Sequence, residues 1–441
     1  MLPSAIVIFC TDTITPRIAY MAHWMGQYLF GKPLTPVVSS GHEPQQGDEV
    51  VFYGESKPAF PCLFIPAHGL LHQQGIQAQQ TDMGQWQGLP TFFQTTGGDL
   101  PFDLPAAVFY LISRYEEYLP YTHDMYGRYP HEGSLAFRQG FLKRPIADEW
   151  MEQLKELLKQ RFPHLQFASR RFTYLPTYDV DMAWCYREKG LLRNGAGLLR
   201  QLVTGQWADA VLRLQVLAGR RPDPFDVFND LDKLHTTYQL KPQYFFLLAP
   251  KNKGYDRNIL PHKPRFRALV HRLANRYAAG IHFSWQAHTD SSFEAEQAQL
   301  AQIAEKPVNT NRFHYIRMWL PVSYRQLLAL STPITVDHSM GYGSINGFRA
   351  STCTPFFWYD LEAEAATGLL IYPFAYMEAN SIFEQKHNPE QALDEWQALY
   401  SKVHAVGGTF VTIVHNHMIG TDAEGRRWWQ VYQSFLQRNF G

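Results

Sequence analysis

From residue 172 onward the chain repeats one pattern: a short apolar run, a polar residue at its end, then a segment of amphipathic helical period. The runs cover 172–181, 243–248, 280–285, 312–318, 334–337, 369–374 and 410–415. Between them the apolar spacing predicts helices over 225–238, 266–279, 293–305, 324–330 and 390–406. Alternating strand and helix units imply a parallel sheet, because a parallel neighbour is reached only through a crossover. Seven such strands can curl into an incomplete barrel, an architecture that carries its chemistry on the loops after the strands.

Carboxylates and histidines fall on those loops. The first run ends in Thr177-Tyr178-Asp179-Val180-Asp181. Strand alternation sends Asp179 and Asp181 to one side, where two bare negative charges repel, so something positive is expected between them. A divalent metal answers this if other ligands converge, and His282, His314, His415 and His417 each stand near the end of their own run. Taken alone, two aspartates one residue apart fit a solvated strand end or a helix cap equally well.

The length exceeds what one ordinary core organises, and two domains are expected: an α/β domain over 1–165 and the barrel over 166–441. In the first, strands are predicted at 5–10 and 49–53. A helix is predicted over 103–119, where Leu104, Val108, Leu111, Ile112 and Tyr115 recur at helical spacing. The clusters at 113–118 and 123–128 either line a groove or cap a helix and pack a loop, the second being the commoner use of such residues. One insertion, 182–221, interrupts the barrel with Arg187, Lys189, Arg193, Arg200, Arg213, Arg220 and Arg221 interleaved with leucines. It reads either as a basic amphipathic cap that meets a membrane surface or an anionic substrate, or as the solvated face of a helix pair packed on the barrel, the more frequent case.

Forty basic and forty acidic residues cancel, which argues against a nucleic-acid binder, since phosphate neutralisation needs a basic excess. Aromatic residues make up 15% of the chain, which suits core packing and sugar stacking alike. Cys10, Cys62, Cys185 and Cys353 are scattered, so free thiols are expected rather than a disulfide framework or a sulfur-rich zinc site. No run approaches the ~20 apolar residues of a membrane span, and the apolar start, lacking a basic leader, reads as a strand rather than a signal peptide. The expected compartment is the cytoplasm.

The order of these segments resembles the polysaccharide deacetylase superfamily, whose domain is a distorted seven-stranded α/β barrel holding one divalent metal. More closely, it resembles a bacterial branch that joins this barrel to an N-terminal domain of unknown function, a likeness that includes 113–118 and 124–128. The resemblance implies Asp179 as general base and Asp181 as metal ligand, with one residue inserted between the motif's aspartates. The second motif, normally two histidines one helical turn apart, keeps His282 but has Gln286 four residues on, and His288 is out of register. In the third motif Arg312 orients the base, and His314 replaces the usual proline. His314 is therefore the candidate for the missing ligand, set against a neutral histidine bonded to a backbone carbonyl.

In the fourth region, 321–342, Asp337 is expected to orient or tune a catalytic histidine. Arg349, in the loop 346–351, either grips an anionic substrate group or pairs with a carboxylate. His415, ending Val411-Thr-Ile-Val-His415, matches the fifth motif and its general acid. Tyr342, Arg349 and His417 complete the expected site as substrate-binding residues, the role of His417 within it being open.

The resemblance implies a hydrolase with one divalent metal, zinc being favoured, acting on a non-peptide carbon–nitrogen bond. N-deacetylation of an amino sugar in a glycan or its precursor is the expected reaction, on a carbohydrate substrate. A ring amidase of the allantoinase kind and a catalytically silent glycan-binding barrel are the alternatives.

Overall fold

The computed structural model describes residues 7–41, 48–290 and 292–441. The fold is mixed α/β and contains two main sheets. In the first, β1 (Val7–Thr11), β2 (Val37–Val38), β3 (Glu49–Gly54) and β4 (Leu63–Pro66) are parallel in the order β2-β1-β3-β4. The strand expected at 5–10 corresponds to β1, and its first two residues lie outside the described ones. β5 (Gly84–Trp86) and β6 (Leu89–Thr91) form a separate hairpin.

The helix Pro16–Phe30 follows the local rules. Thr15 accepts from the Ile18 N–H, proline stands in the first turn, and Gly31 ends the helix at φ 69°. The helix expected over 103–119 stops at Ile112, because Arg114 adopts φ 57° and breaks the helical path before a 3₁₀ turn at Tyr115–Tyr118.

The second sheet contains β7 (Thr173–Val180), β8 (Gln243–Leu247), β9 (Ala278–Phe283), β10 (Thr310–Phe313), β11 (Val336–Asp337), β12 (Phe356–Asp360), β13 (Ala365–Ile371), β14 (Phe374–Met377) and β15 (Thr409–His415). Their order is β12-β13-β11-β10-β9-β8-β7-β15-β14, parallel throughout except between β12 and β13. All seven expected runs contribute to it. Two further strands, β12 and β14, raise the count to nine, and the run 312–318 leaves the sheet after Phe313.

The sheet must be strongly curved. β7 and β10 stand three places apart, which in a flat sheet separates them by ~14 Å. Yet Arg312 on β10 donates to Asp179 on β7 at 2.6 Å. Phe245 on β8 fills the space between them, with the Arg312 guanidinium 4.3 Å above its ring centre. A Cβ on Gly280 would come within 2.6 Å of that ring, so the neighbouring strand needs glycine there.

The two sheets share one main apolar core, in which Phe109 packs on both Tyr20 and Tyr359. Partly buried polar bonds reinforce the junction. Arg17 pairs with Glu364, and the Tyr20 hydroxyl donates to the Phe357 carbonyl at 2.7 Å. Among the described residues, no helix is long and apolar enough to cross a membrane.

Candidate active site

The ends of four strands, β7, β9, β10 and β15, converge on a cleft of about 300 Å³. Asp181, just past β7, lies with Oδ1 3.3 Å from His282 Nε2 and Oδ2 3.8 Å from His314 Nε2. One donor atom from each of these three residues falls within 4.8 Å of the others, a spacing suited to a single cation.

The orientation of the donors supports that use. His282 Nδ1 donates to the Arg312 carbonyl at 2.9 Å, which turns its Nε2 toward Asp181. His314 Nδ1 is 2.9 Å from Asp256 Oδ1, the carboxylate–histidine arrangement that fixes a metal-binding imidazole. Asp181 Oδ1 is buried without a hydrogen-bond donor. Burial alone would raise the pKa of Asp181, but His314, His282 and His415 hold it well below the usual carboxylate range. One carboxylate and two imidazoles suit zinc and the other first-row divalent ions.

Next to this cluster stand an acid and a base candidate. Asp179 is buried, and its Oδ1 accepts from Arg312 Nη1, which also donates to Thr177 Oγ1 at 2.7 Å. His415 ends β15 directly opposite Asp179 in the strand register. Its Nδ1 lies 2.9 Å from Glu378 Oε1, while Nε2 faces Asp179 Oδ2 at 3.9 Å and Asp181 Oδ2 at 3.8 Å. Burial disfavours the charge on His415, yet Glu378, helped by Asp181 and Asp179, pushes its pKa up to about 10.

Gln286, which stands where a second histidine was expected, donates from Nε2 and from its backbone N–H to Asp256 Oδ2, at 2.9 and 3.0 Å. It therefore steadies the partner of His314 instead of facing the cluster. His288 is packed among Phe293, Phe313 and Trp319, and burial pushes its pKa down to about 3. After His314 the backbone turns sharply, with φ 59° at Tyr315 and 53° at Ile316. Positive φ at a β-branched residue is costly, and the turn swings Tyr315 onto the cleft wall while Ile316 joins a small core with Phe374.

Three expected roles need correction. Asp337 is not bonded to a histidine of the cleft: it accepts from Asn311, Tyr324 and Ser339 and organises the end of β11. Arg349 does not face the cleft, because Glu117 holds it in a buried two-pronged pair at 2.8 and 2.6 Å. Tyr342 is also buried away from the cleft, its hydroxyl accepting from Arg114 at 3.2 Å. His417 does line the cleft, with its ring 5.4 Å from that of His415, and burial pushes its pKa down to about 4.

The residues that take those places are Glu378, Asp256 and the wall formed by Tyr126, Arg128, Tyr255 and Tyr315. Asp256 lies on the loop after β8, where barrel topology makes an acidic residue worth noting, but an aspartate after Gly254-Tyr255 looks like an ordinary turn. Glu378 follows β14, a strand whose apolar run was not separable from that of β13.

No curated protein matches the chain. Among solved structures, a protein assigned as a polysaccharide deacetylase from Mycobacterium smegmatis is similar at 11% identity and a TM-score of 0.38, over 62% of this chain and 86% of that one. The allantoinase Puue is similar at 10% identity and a TM-score of 0.37, over 61% and 83%. The polysaccharide deacetylase Bc1974 from Bacillus cereus is similar at 12% identity and a TM-score of 0.27, over 61% and 88%. Residues 6–163 match a family of unknown function, DUF7033, a match that ends before β7 begins but takes in Tyr126 and Arg128 of the cleft wall.

Proposed function

We propose that the chain is a metal-dependent hydrolase of a non-peptide carbon–nitrogen bond, and that its reaction is N-deacetylation of an amino sugar. One observation carries the reading. Arg312 occupies Asp179 Oδ1 and Glu378 occupies His415 Nδ1, so Asp179 Oδ2 and His415 Nε2 are left facing each other beside Asp181, His282 and His314.

A divalent cation held by Asp181, His282 and His314, zinc being the simplest choice, would supply Lewis acidity at the amide carbonyl and acidify water. Asp179 takes the proton of the attacking water at Oδ2 while Arg312 keeps the carboxylate aimed. His415 keeps a proton on Nε2 at neutral pH and delivers it to the departing nitrogen. Separate partners for the two groups let one act as base and the other as acid. Tyr126, Tyr255 and Tyr315 form a contiguous aromatic wall, with ring centres 5.0 to 5.5 Å apart, which suits the flat face of a sugar ring.

The test is acetate release from N-acetylated oligosaccharides by the metal-loaded protein, with a pH profile. Release should stop on chelation and return with zinc. Activity should fall as alkaline pH removes the His415 proton, and Glu378→Gln should move that limb to lower pH by removing the charge that holds the proton. Opening of a cyclic ureide without acetate release would instead assign a ring amidase. Sugar binding that is unchanged in Asp179→Asn, with no turnover of either substrate, would assign a silent barrel.

A further inference from the structure

The insertion after Asp181 is built inside out. Around the helix Gly190–Val203, at about 100° per residue, Leu191, Leu192, Leu198, Leu199, Leu202 and Val203 share one arc. Leu191 and Leu192 are 93% and 91% exposed, and Val203 is 78% exposed. One flank of this arc, with Asn194 and Gln201, is polar and buried, and the other carries the exposed Arg193 and Arg200. On the buried flank Asn194 Oδ1 and Gln201 Oε1 each accept from Arg213 at 2.8 Å, which ties this helix to its neighbour Trp207–Leu217. That neighbour likewise exposes Trp207, Val211, Leu214 and Leu217. The structure thus departs from the expectation that the pair turns a solvated polar face outward, and an apolar patch of this kind marks a surface that meets something else.

Charge narrows the choice of occupant. Residues 182–221 carry seven basic and two acidic side chains in a chain of zero net charge. Arg193, Arg200, Arg220 and Arg221 are all exposed. A second copy would fit poorly, because a two-fold contact sets the same patch, with the same arginines, against itself. An anionic bilayer answers both features: headgroups meet the arginines and the acyl boundary takes the leucines. The helices have 14 and 11 residues, short of the ~20 needed to cross, so they would lie along the surface.

We propose that the helical pair 190–217 docks the protein on anionic lipid membranes. The inference is independent of the hydrolase reading, since it uses none of the cleft residues. The test is sedimentation of the purified full-length chain with phosphatidylcholine vesicles, with and without phosphatidylglycerol, at low and high salt. The protein should sediment with the anionic vesicles, far less with the neutral ones, and be released by salt. The pairs Leu192→Glu with Leu199→Glu and Arg193→Glu with Arg200→Glu should each weaken binding at least ~10-fold. Circular dichroism and the melting temperature should stay unchanged, because these side chains are exposed. Absence of sedimentation with anionic vesicles would overturn the proposal. So would a dimer in solution that Leu192→Glu dissociates, which would give the face to a second copy.

Discussion

Among the described residues, two clusters of buried arginines and carboxylates differ in kind: in one every carboxylate oxygen is engaged, and in the other some are left facing a cleft. In the first, Glu117 accepts from both Arg114 and Arg349, while Glu116 accepts from Arg114 and from the Leu135 N–H. Every carboxylate oxygen there already has a donor. In the second, Arg312 takes one oxygen of Asp179, while the other oxygen, Asp181 and the Nε2 atoms of His282, His314 and His415 face a cleft. Burial and charge are alike in both. What separates a structural cluster from a chemical one is the set of carboxylate and imidazole atoms left facing the cleft once internal bonds are counted.

The sharpest way to break this contrast is to exchange a charge in each cluster. Asp179→Asn keeps the shape and an oxygen that accepts from Arg312 but removes the proposed base, so turnover should fall ~10²- to 10⁴-fold while the urea midpoint falls less than in the closed cluster. A variant that retains wild-type kcat with metal bound would remove Asp179 from the chemistry. In the closed cluster the effects should reverse. Glu117→Ala strands Arg114 and Arg349 without their shared partner, a change that costs ~3–5 kcal/mol in comparable buried pairs. Denaturant unfolding measures this. The fraction that remains folded should keep its kcat, and a selective loss of kcat without a loss of stability would show that the two clusters are not separate.

The sequence cannot draw that line. Asp181, His282 and His415 stood out because each lies near the end of a periodic apolar run, and parallel topology brings such ends to one rim, whereas Arg312 opens its run and was named only through the family resemblance. Arg349 and Tyr342 looked equivalent, since they lie on a loop that follows the same rim. Their partners Glu117 and Arg114 are more than two hundred residues distant, so nothing local revealed that the guanidinium was already engaged. Asp256 and Glu378 failed for the opposite reason. Each is an isolated acid on a loop, and only the histidine it touches in three dimensions gives it a role. The helical period was a reliable guide to Phe293–Ala304 and Pro389–Ala405, whereas β12 and the helix Ala423–Phe440 went unread.

A weaker effect is expected one step back from the proposed metal site. Asp256→Asn leaves His314 in place but removes the charged acceptor that orients its ring, and changes of this kind usually lower metal affinity ~10- to 100-fold. Competition with a chromogenic chelator reads this directly, whether or not a substrate is known. Equal affinity in the variant and the parent would mean that Asp256 serves only the Trp285 and Gln286 backbone, whose N–H groups it also accepts.

The smallest effect belongs to the hydroxyl that was misread. Tyr342→Phe removes an acceptor from Arg114 Nη2, but that nitrogen keeps Glu116 at 3.0 Å and the ring keeps its packing. The loss should be about 1 kcal/mol, the ordinary net worth of one such bond. KM for any substrate should be unchanged, because the hydroxyl points into the closed cluster and not into the cleft. Tyr315→Phe, on the cleft wall, is the matching control. If the hydroxyls of the wall grip the substrate, KM rises there while stability stays level. A rise in KM for Tyr342→Phe instead would mean that the closed cluster reaches the substrate after all, and that the atoms left facing the cleft are not what distinguishes the two.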